Sequence, residues 1–154
     1  FVRRHWQDAL EAERVSGAPA GFILSQAALE SGWGKHEIRH ADGRASHNLF
    51  GIKAGAHWRG DTVQVRTTEY ENGVAQKVTD RFRSYDSYAD AFKDWAALMV
   101  DSPRYRQVRD AGADARSFAQ AIQDAGYATD PNYRDKLMGV MRRVFAAAGG
   151  SAQA

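Results

Sequence analysis

The sequence predicts a mainly α-helical (α+β) fold, with a helical body that carries one small β-hairpin lobe. Apolar residues recur at helical spacing near the N-terminus and again from residue 86 onward. Between these regions, residues 62–70 alternate and are rich in β-branched side chains, and Asn72-Gly73 follows them as a strong hairpin signal. A helical body beside a hairpin leaves a groove between them, which suits an extended polymer better than a small cofactor.

Glycine and proline divide the first half of the chain. Residues 1–16 carry apolar positions at helical spacing, and Gly17 ends this first predicted helix. A second, strongly apolar helix is predicted to begin near Pro19 and to end at Gly32. Residues 35–60 contain several glycines and no clear periodicity, so they predict a long ordered loop with a short helical piece.

The second half continues with a return strand and further helices. Val74, Val78 and Phe82 mark the strand that completes the hairpin. The helices that follow are each preceded by a residue suited to a helix start. These starts are Asp86 or Ser87, Pro103, Asp114, and the pair Asp130-Pro131.

Composition and charge limit the classes of function. The chain has 154 residues, no cysteine, and 21 basic against 19 acidic residues, so its net charge is only +2. Without cysteine there are no disulfides, no thiol catalysis and no cysteine-bound metals. The interleaved charges argue against nucleic-acid binding, and no apolar run reaches the roughly 18 residues that a membrane span needs. We expect one monomeric domain over residues 1–148, without metal or cofactor, and a flexible tail over residues 149–154.

Glu30 is the most informative single residue. It falls at the C-terminal end of the apolar second helix, on the same face as Ile23 and Ala27. Burial and the negative end of the helix dipole both disfavour the carboxylate, so its pKa should be raised. A carboxyl group that stays protonated near neutral pH suits a general acid for glycoside cleavage. The alternative is a glutamate that turns outward or pairs with a basic neighbour such as Lys35.

Several motifs around Glu30 resemble those of the lysozyme-like glucosaminidases of glycoside hydrolase family 73. The segments that carry the resemblance are QAALESGWGK (26–35), NLFGIK (48–53), TEYENG (68–73), FRSY (82–85) and AGYATDPNY (125–133). Within the family, the flagellar members of Gram-negative bacteria are the most similar. The resemblance implies a lysozyme-like fold and a peptidoglycan hydrolase that cleaves β-1,4 bonds in the glycan strands of the cell wall, as an endo-N-acetylglucosaminidase.

The resemblance also implies the catalytic groups. Glu30 matches the catalytic acid of the family, and Glu69 matches its second carboxylate, on the hairpin. Glu69 shares strand parity with Val63 and Val65, so it can face the groove; the alternative is a solvent-exposed strand charge. Tyr127 matches a tyrosine near the reaction centre, where its phenol could hold an acetamido group or stabilise positive charge.

Five further residues are candidates for substrate binding. Aromatic rings suit the apolar faces of sugars, and an asparagine can bridge a loop to the substrate. The candidates are Trp33, Asn48, Phe50, Trp58 and Tyr133. For the aromatic residues packing is an equally good interpretation, and Asn48 can instead bracket a turn.

The sequence leaves two other functions open. Residues 36–40 read His-Glu-Ile-Arg-His, the spacing of a zinc metalloprotease if the segment is helical. Glycines flank it, and no third ligand stands at a familiar spacing. The second alternative is a wall-binding module without catalysis, which the presence of both Glu30 and Glu69 argues against.

The resemblance has consequences for the cellular setting. The flagellar members carry an N-terminal rod-binding domain, which we expect to be missing from this chain. If the flagellar interpretation holds, the enzyme works in the periplasm of a Gram-negative bacterium and opens the wall for the growing rod. Its partners would then be peptidoglycan strands and, through the missing domain, flagellar rod proteins.

Overall fold

The computed structural model describes residues 1–152, with six α-helices and one two-stranded antiparallel sheet over that range. The elements are α1 (Val2–Ser16), α2 (Ala20–Ser31), β1 (Thr62–Glu71), β2 (Val74–Arg83), α3 (Tyr88–Asp101), a 3₁₀ turn (Pro103–Tyr105), α4 (Arg106–Asp110), α5 (Ala115–Asp124) and α6 (Tyr133–Ala152). The predicted α+β class, a helical body with a hairpin lobe, is confirmed.

Helix α2 is the centre of the body. Ten of its twelve residues are buried, because α1 and α6 pack on it and the long loop covers its last turn. Side chains such as Ile23 and Leu24 are fully buried against the core formed with Phe118 and Leu137. The helix ends at Gly32, whose φ of +58° is the left-handed conformation that glycine adopts readily. This packing fixes the last turn of α2, which carries Glu30, against the loop.

The predicted helix starts are mostly confirmed. The Ser87 hydroxyl accepts the backbone N–H of Asp90 at 3.1 Å and caps α3, and Asp114 caps α5 in the same way. Helix α6, predicted to begin at Asp130-Pro131, begins instead at Tyr133. The reason is local, since the Asp130 carboxylate accepts the Asn132 N–H and holds a turn before the helix.

The hairpin forms as predicted, with Thr62 opposite Arg83 and Glu71 opposite Val74. Asn72-Gly73 supplies its two-residue turn, and both residues have positive φ, as a turn that matches the strand twist requires. The base of the lobe is tied to the loop, where Arg83 N–H donates to the Ile52 carbonyl at 3.0 Å.

The long loop differs from expectation. The short helical piece predicted within residues 35–60 is wrong: the segment consists of turns and isolated bridges, with positive φ at His47 and Gly51 interrupting any helix. Helix α6 continues through Gly149 to Ala152, and residues 153–154 of the predicted tail lie outside the described residues. None of the helices within residues 1–152 combines the length and apolar character that a membrane crossing demands.

Candidate active site

A groove of about 1040 Å³ runs between the helical body and the hairpin lobe. The last turn of α2 and the loop around Gly51 form its floor, β1 forms one wall, and the segment from Gly126 into α6 forms the other. Four of the sequence-predicted site residues line it. They are Glu30, Glu69, Tyr127 and Tyr133.

Glu30 faces the groove from the last turn of α2. Its Oε1 atom is buried and has no hydrogen-bond partner of good geometry among the described residues. Burial raises the pKa of this carboxyl to about 7, the neighbouring Tyr133 hydroxyl opposes that rise, and the negative charge of Glu69 adds to it. The direction of this shift is the one that the sequence predicts. Glu30 is therefore a carboxylic acid that can hold its proton close to neutral pH.

Gly51 brings the loop backbone against this acid. Its φ is +64°, and a Cβ atom at this position would lie 3.2 Å from Oε2 of Glu30. The absence of a side chain allows the loop to pass this close and leaves Oε2 at the groove. The glycine of the NLFGIK motif thus has a steric role at the acid.

Tyr127 supports the same loop. Its hydroxyl donates to the Phe50 carbonyl at 2.6 Å, next to the Gly51 peptide. Burial, followed by the negative charge of Glu30, raises the pKa of Tyr127 well above its usual value, so the phenol stays protonated. Its proton is committed to the loop, and its oxygen retains the capacity to accept a hydrogen bond.

Glu69 lies on β1 with both carboxylate oxygens engaged. Lys53 Nζ binds Oε1, and the Thr129 hydroxyl donates to Oε2 at 2.8 Å. Lys53 also contacts Asp80 on β2 at 3.2 Å, and Thr129 accepts the backbone N–H of Tyr70 at 2.7 Å. The second carboxylate is thus held at the groove by one residue from the loop and one from the opposite wall.

Asn48 and Phe50 lie in the interior, and their assignment to substrate binding is corrected. The Asn48 side chain donates to the carbonyls of Ile52 and Arg83 and accepts the N–H groups of Phe50 and Ile52. It shapes the loop and is 1% exposed. Phe50 is fully buried against Phe92 and Trp95. Their places in the motif reflect a role in folding the loop that forms the floor of the groove.

The three other aromatic candidates also differ from expectation. The Tyr133 ring is 3% exposed, so it packs in the groove wall and presents no sugar-stacking face. Trp33 packs against Phe1 and the Arg143 guanidinium, and Trp58 packs against Arg83. Neither tryptophan lines the groove.

The His-Glu-Ile-Arg-His segment does not form a zinc site of the metalloprotease kind. His36 ends a series of turns, Arg39 forms an isolated bridge, and His40 bonds the Ser84 hydroxyl at 2.8 Å. The two histidines therefore share no helix face. Glu37 is buried beside Arg39, with 3.6 Å between the charged atoms. Among the residues described, no cluster of three His, Asp or Glu side chains has a metal-binding arrangement.

Three residues at the site were not predicted from the sequence: Gly51, Lys53 and Thr129. Each lies inside a motif that was recognised, so the motif gave their place near the site. Their roles depend on contacts between distant segments, and Thr129 meets Glu69 across 60 residues of chain.

Comparison with known proteins identifies the family. The family model for glucosaminidases, described as mannosyl-glycoprotein endo-beta-N-acetylglucosaminidase, matches residues 6–145. The chain belongs to the glucosaminidase family. The family predicted from the motifs is confirmed, and with it the enzyme class, a glycoside hydrolase.

Relatives within the glucosaminidase family agree in sequence and structure. Peptidoglycan hydrolase FlgJ of Escherichia coli K12 is 50% identical over 133 residues, which cover 86% of this chain and 42% of that protein. The chain thus spans less than half the length of this curated relative. A mutant of the peptidoglycan hydrolase from Sphingomonas sp. A1 is 48% identical, with a TM-score of 0.88 over 95% of this chain and 97% of that one. The glycoside hydrolase domain of Salmonella typhimurium FlgJ is 41% identical, with a TM-score of 0.77 over 99% and 91% of the two chains.

Proposed function

We propose that the chain hydrolyses β-1,4 glycosidic bonds in the glycan strands of peptidoglycan, with Glu30 as the general acid. The observation that carries this proposal is the buried Glu30 carboxyl, with a pKa raised to about 7, in a groove that also holds Glu69. A general acid must be protonated at the working pH, and a pKa raised to about 7 keeps a large share of this carboxyl protonated near neutral pH. The names of the FlgJ relatives support peptidoglycan as the substrate.

The reaction proceeds by proton transfer to the leaving group. Glu30 gives its proton to the glycosidic oxygen as the bond to the anomeric carbon breaks, and positive charge develops on that sugar ring. Glu69 is the negative group opposite, and it stabilises this charge or removes a proton from the attacking water. Lys53 and Thr129 hold its two oxygens, so the carboxylate is oriented before the substrate arrives.

Bond specificity and cellular role extend the proposal. We infer an endo-acting N-acetylglucosaminidase, for which the family description is the support. We also infer action in the Gram-negative periplasm, where the enzyme opens the wall for the flagellar rod; the support is the similarity to FlgJ. We infer contact with flagellar rod proteins on the same support.

The decisive experiment compares Glu30→Gln and Glu69→Gln with the unchanged enzyme on purified peptidoglycan. The lytic rate of Glu30→Gln should be lower by a factor of about 10²–10⁴, as expected when a general acid is removed. Glu69→Gln should also lower kcat, while substrate binding persists. Circular dichroism checks that both variants fold. A fully active Glu30→Gln enzyme contradicts the proposal.

Mass spectrometry of the released fragments tests the bond specificity. Reducing N-acetylglucosamine ends support the glucosaminidase assignment, whereas reducing muramic acid ends indicate a muramidase. The anomeric configuration of the same products distinguishes inversion from retention.

A further inference from the structure

A buried polar contact sits behind the general acid. The Trp95 indole N–H donates to Oε1 of Gln26 at 2.9 Å, and both side chains are fully buried. An indole N–H can only donate, so the oxygen end of the Gln26 amide must face Trp95. The NH₂ end of the same amide therefore points away from the tryptophan.

Three polar atoms meet on the other side of this amide. Nε2 of Gln26, Oε1 of Glu30 and the Tyr133 hydroxyl are buried, and each has no partner of good geometry within residues 1–152. Gln26 and Glu30 are four residues apart on α2, so they lie on one face one turn apart. The Tyr133 hydroxyl, from α6, neighbours both of them. Small adjustments would pair all three groups, and their burial strongly favours such pairing.

We propose that Gln26 is a positioning residue that directs the Tyr133 hydroxyl to donate to Oε1 of Glu30, and so leaves the acidic proton on Oε2 at the groove. This inference rests on the proposed role of Glu30 as general acid.

The direction of the hydrogen bond from Tyr133 to Glu30 follows from the donors and acceptors available. The Gln26 NH₂ can only donate, so the Tyr133 oxygen is its acceptor, and the tyrosine proton is left for the carboxyl. Oε1 then accepts a hydrogen bond, and the carboxylic proton resides on Oε2, beside Gly51. The groups that face this carboxyl are Tyr133 and Tyr127 from one wall and Glu69 from the hairpin.

The first test replaces Gln26 by methionine, which keeps the volume and removes the hydrogen bonds. We expect kcat on purified peptidoglycan to fall about tenfold with KM unchanged, since part of the general-acid contribution depends on alignment. The alkaline limb of the rate profile should move to higher pH, because a carboxylate without the Tyr133 donor is less stabilised. Gln107→Met, on an exposed site of α4, is the matched control and should change neither quantity.

A second variant keeps the test valid if Gln26→Met fails to fold. Gln26→Met leaves the Trp95 N–H unpaired, and the double variant Gln26→Leu/Trp95→Phe removes both partners at once. Carbon-13 NMR titration of Glu30 measures its pKa without turnover, and the pKa should rise in either variant. Tyr133→Phe should give a similar rise, and adding Gln26→Met to it should change little more. An unchanged Glu30 pKa in the Gln26 variants would overturn the inference. So would a double variant in which the pKa changes of Gln26→Met and Tyr133→Phe add fully.

The same measurements separate this inference from the proposed function. If Glu30→Gln is inactive but the Gln26 variants keep the kcat, rate profile and Glu30 titration of the unchanged enzyme, only the positioning role fails. If Glu30→Gln stays active, the general-acid assignment itself fails.

Discussion

Thr129 and Glu69 join the two walls of the groove. The Thr129 hydroxyl, in the segment before α6, donates to Oε2 of Glu69 on β1 at 2.8 Å and accepts the neighbouring Tyr70 N–H at 2.7 Å. One hydroxyl thus fixes both the backbone and the carboxylate of the hairpin near its tip. The position of the second carboxylate depends on this contact as well as on the strand that carries it.

Replacing Thr129 by valine tests the contact. Valine keeps the shape of the side chain and removes the hydroxyl, so Glu69 should lose its fixed orientation. We expect kcat on peptidoglycan to fall about tenfold, a part of what a positioned catalytic group supplies, with little change in thermal stability because the site is exposed. Thr79→Val, on the exposed part of β2, is the control. Equal kcat values for the two variants would show that Thr129 does not orient Glu69.

Most of the elements were predicted from local patterns in the sequence, whereas the roles of the two carboxylates were predicted from the family resemblance. Residues close together in the sequence determine the apolar stripes of helices, helix caps such as Ser87, and the Asn72-Gly73 turn. Phe50 and Asn48 were misassigned for a physical reason. A motif shows that a residue matters at a position, but its side chain can serve the loop instead of the substrate, and here both turn inward.

Long-range contacts account for what the sequence did not predict. The pairing of Thr129 with Glu69 and of Trp95 with Gln26 depends on helices and loops meeting in space. No periodicity or spacing encodes such a meeting. The raised pKa of Glu30 was predictable in direction because its helix face was apolar, whereas the part played by Tyr133 required the position of α6.

Ionisation of Glu30 should lower the free energy of unfolding as the pH rises. Its pKa is about 7 in the folded chain against 4.5 as the ordinary value, so the folded state binds more protons than the unfolded state between these two values. Stability from this group is therefore present below about pH 4.5 and is lost as the pH rises to about 7. At pH 8, Glu30→Gln should be more stable than the unchanged protein by about 3 kcal/mol, at 1.36 kcal/mol per pKa unit.

Urea unfolding at pH 4.5 and pH 8 measures this effect. The gain from Glu30→Gln should be large at pH 8 and nearly absent at pH 4.5. Glu71→Gln, at the exposed end of β1, corrects for the removal of a charge and should give less than about 0.5 kcal/mol at either pH. A gain of equal size at both pH values would contradict the raised pKa.

The rate of hydrolysis should decline on the alkaline side. A general acid loses its proton above its pKa, so kcat/KM should fall tenfold per pH unit above about pH 7, where Glu30 ionises in the free enzyme. The measurement is initial lytic rate against pH at constant ionic strength. Glu69 contributes negative charge that raises the Glu30 pKa. In the residual activity of Glu69→Gln, the alkaline limb of the rate profile should therefore move to lower pH. A limb that stays in place would show that the two carboxyl groups are not electrostatically coupled.

Gly51→Ala should impair catalysis more than folding. The added methyl would stand 3.2 Å from Oε2 of Glu30, so the carboxyl must move, and the backbone φ of +64° is strained for alanine by about 1–2 kcal/mol. Gly43→Ala is the matched control, because it lies on the same loop, also has a positive φ and has open space around its Cβ position away from the groove. We expect kcat to fall at least tenfold in Gly51→Ala alone, because the acid is displaced from the scissile oxygen. Thermal unfolding of both variants provides the stability change. A Gly51→Ala enzyme with unchanged kcat would mean that the position of Oε2 beside this glycine has no part in proton transfer.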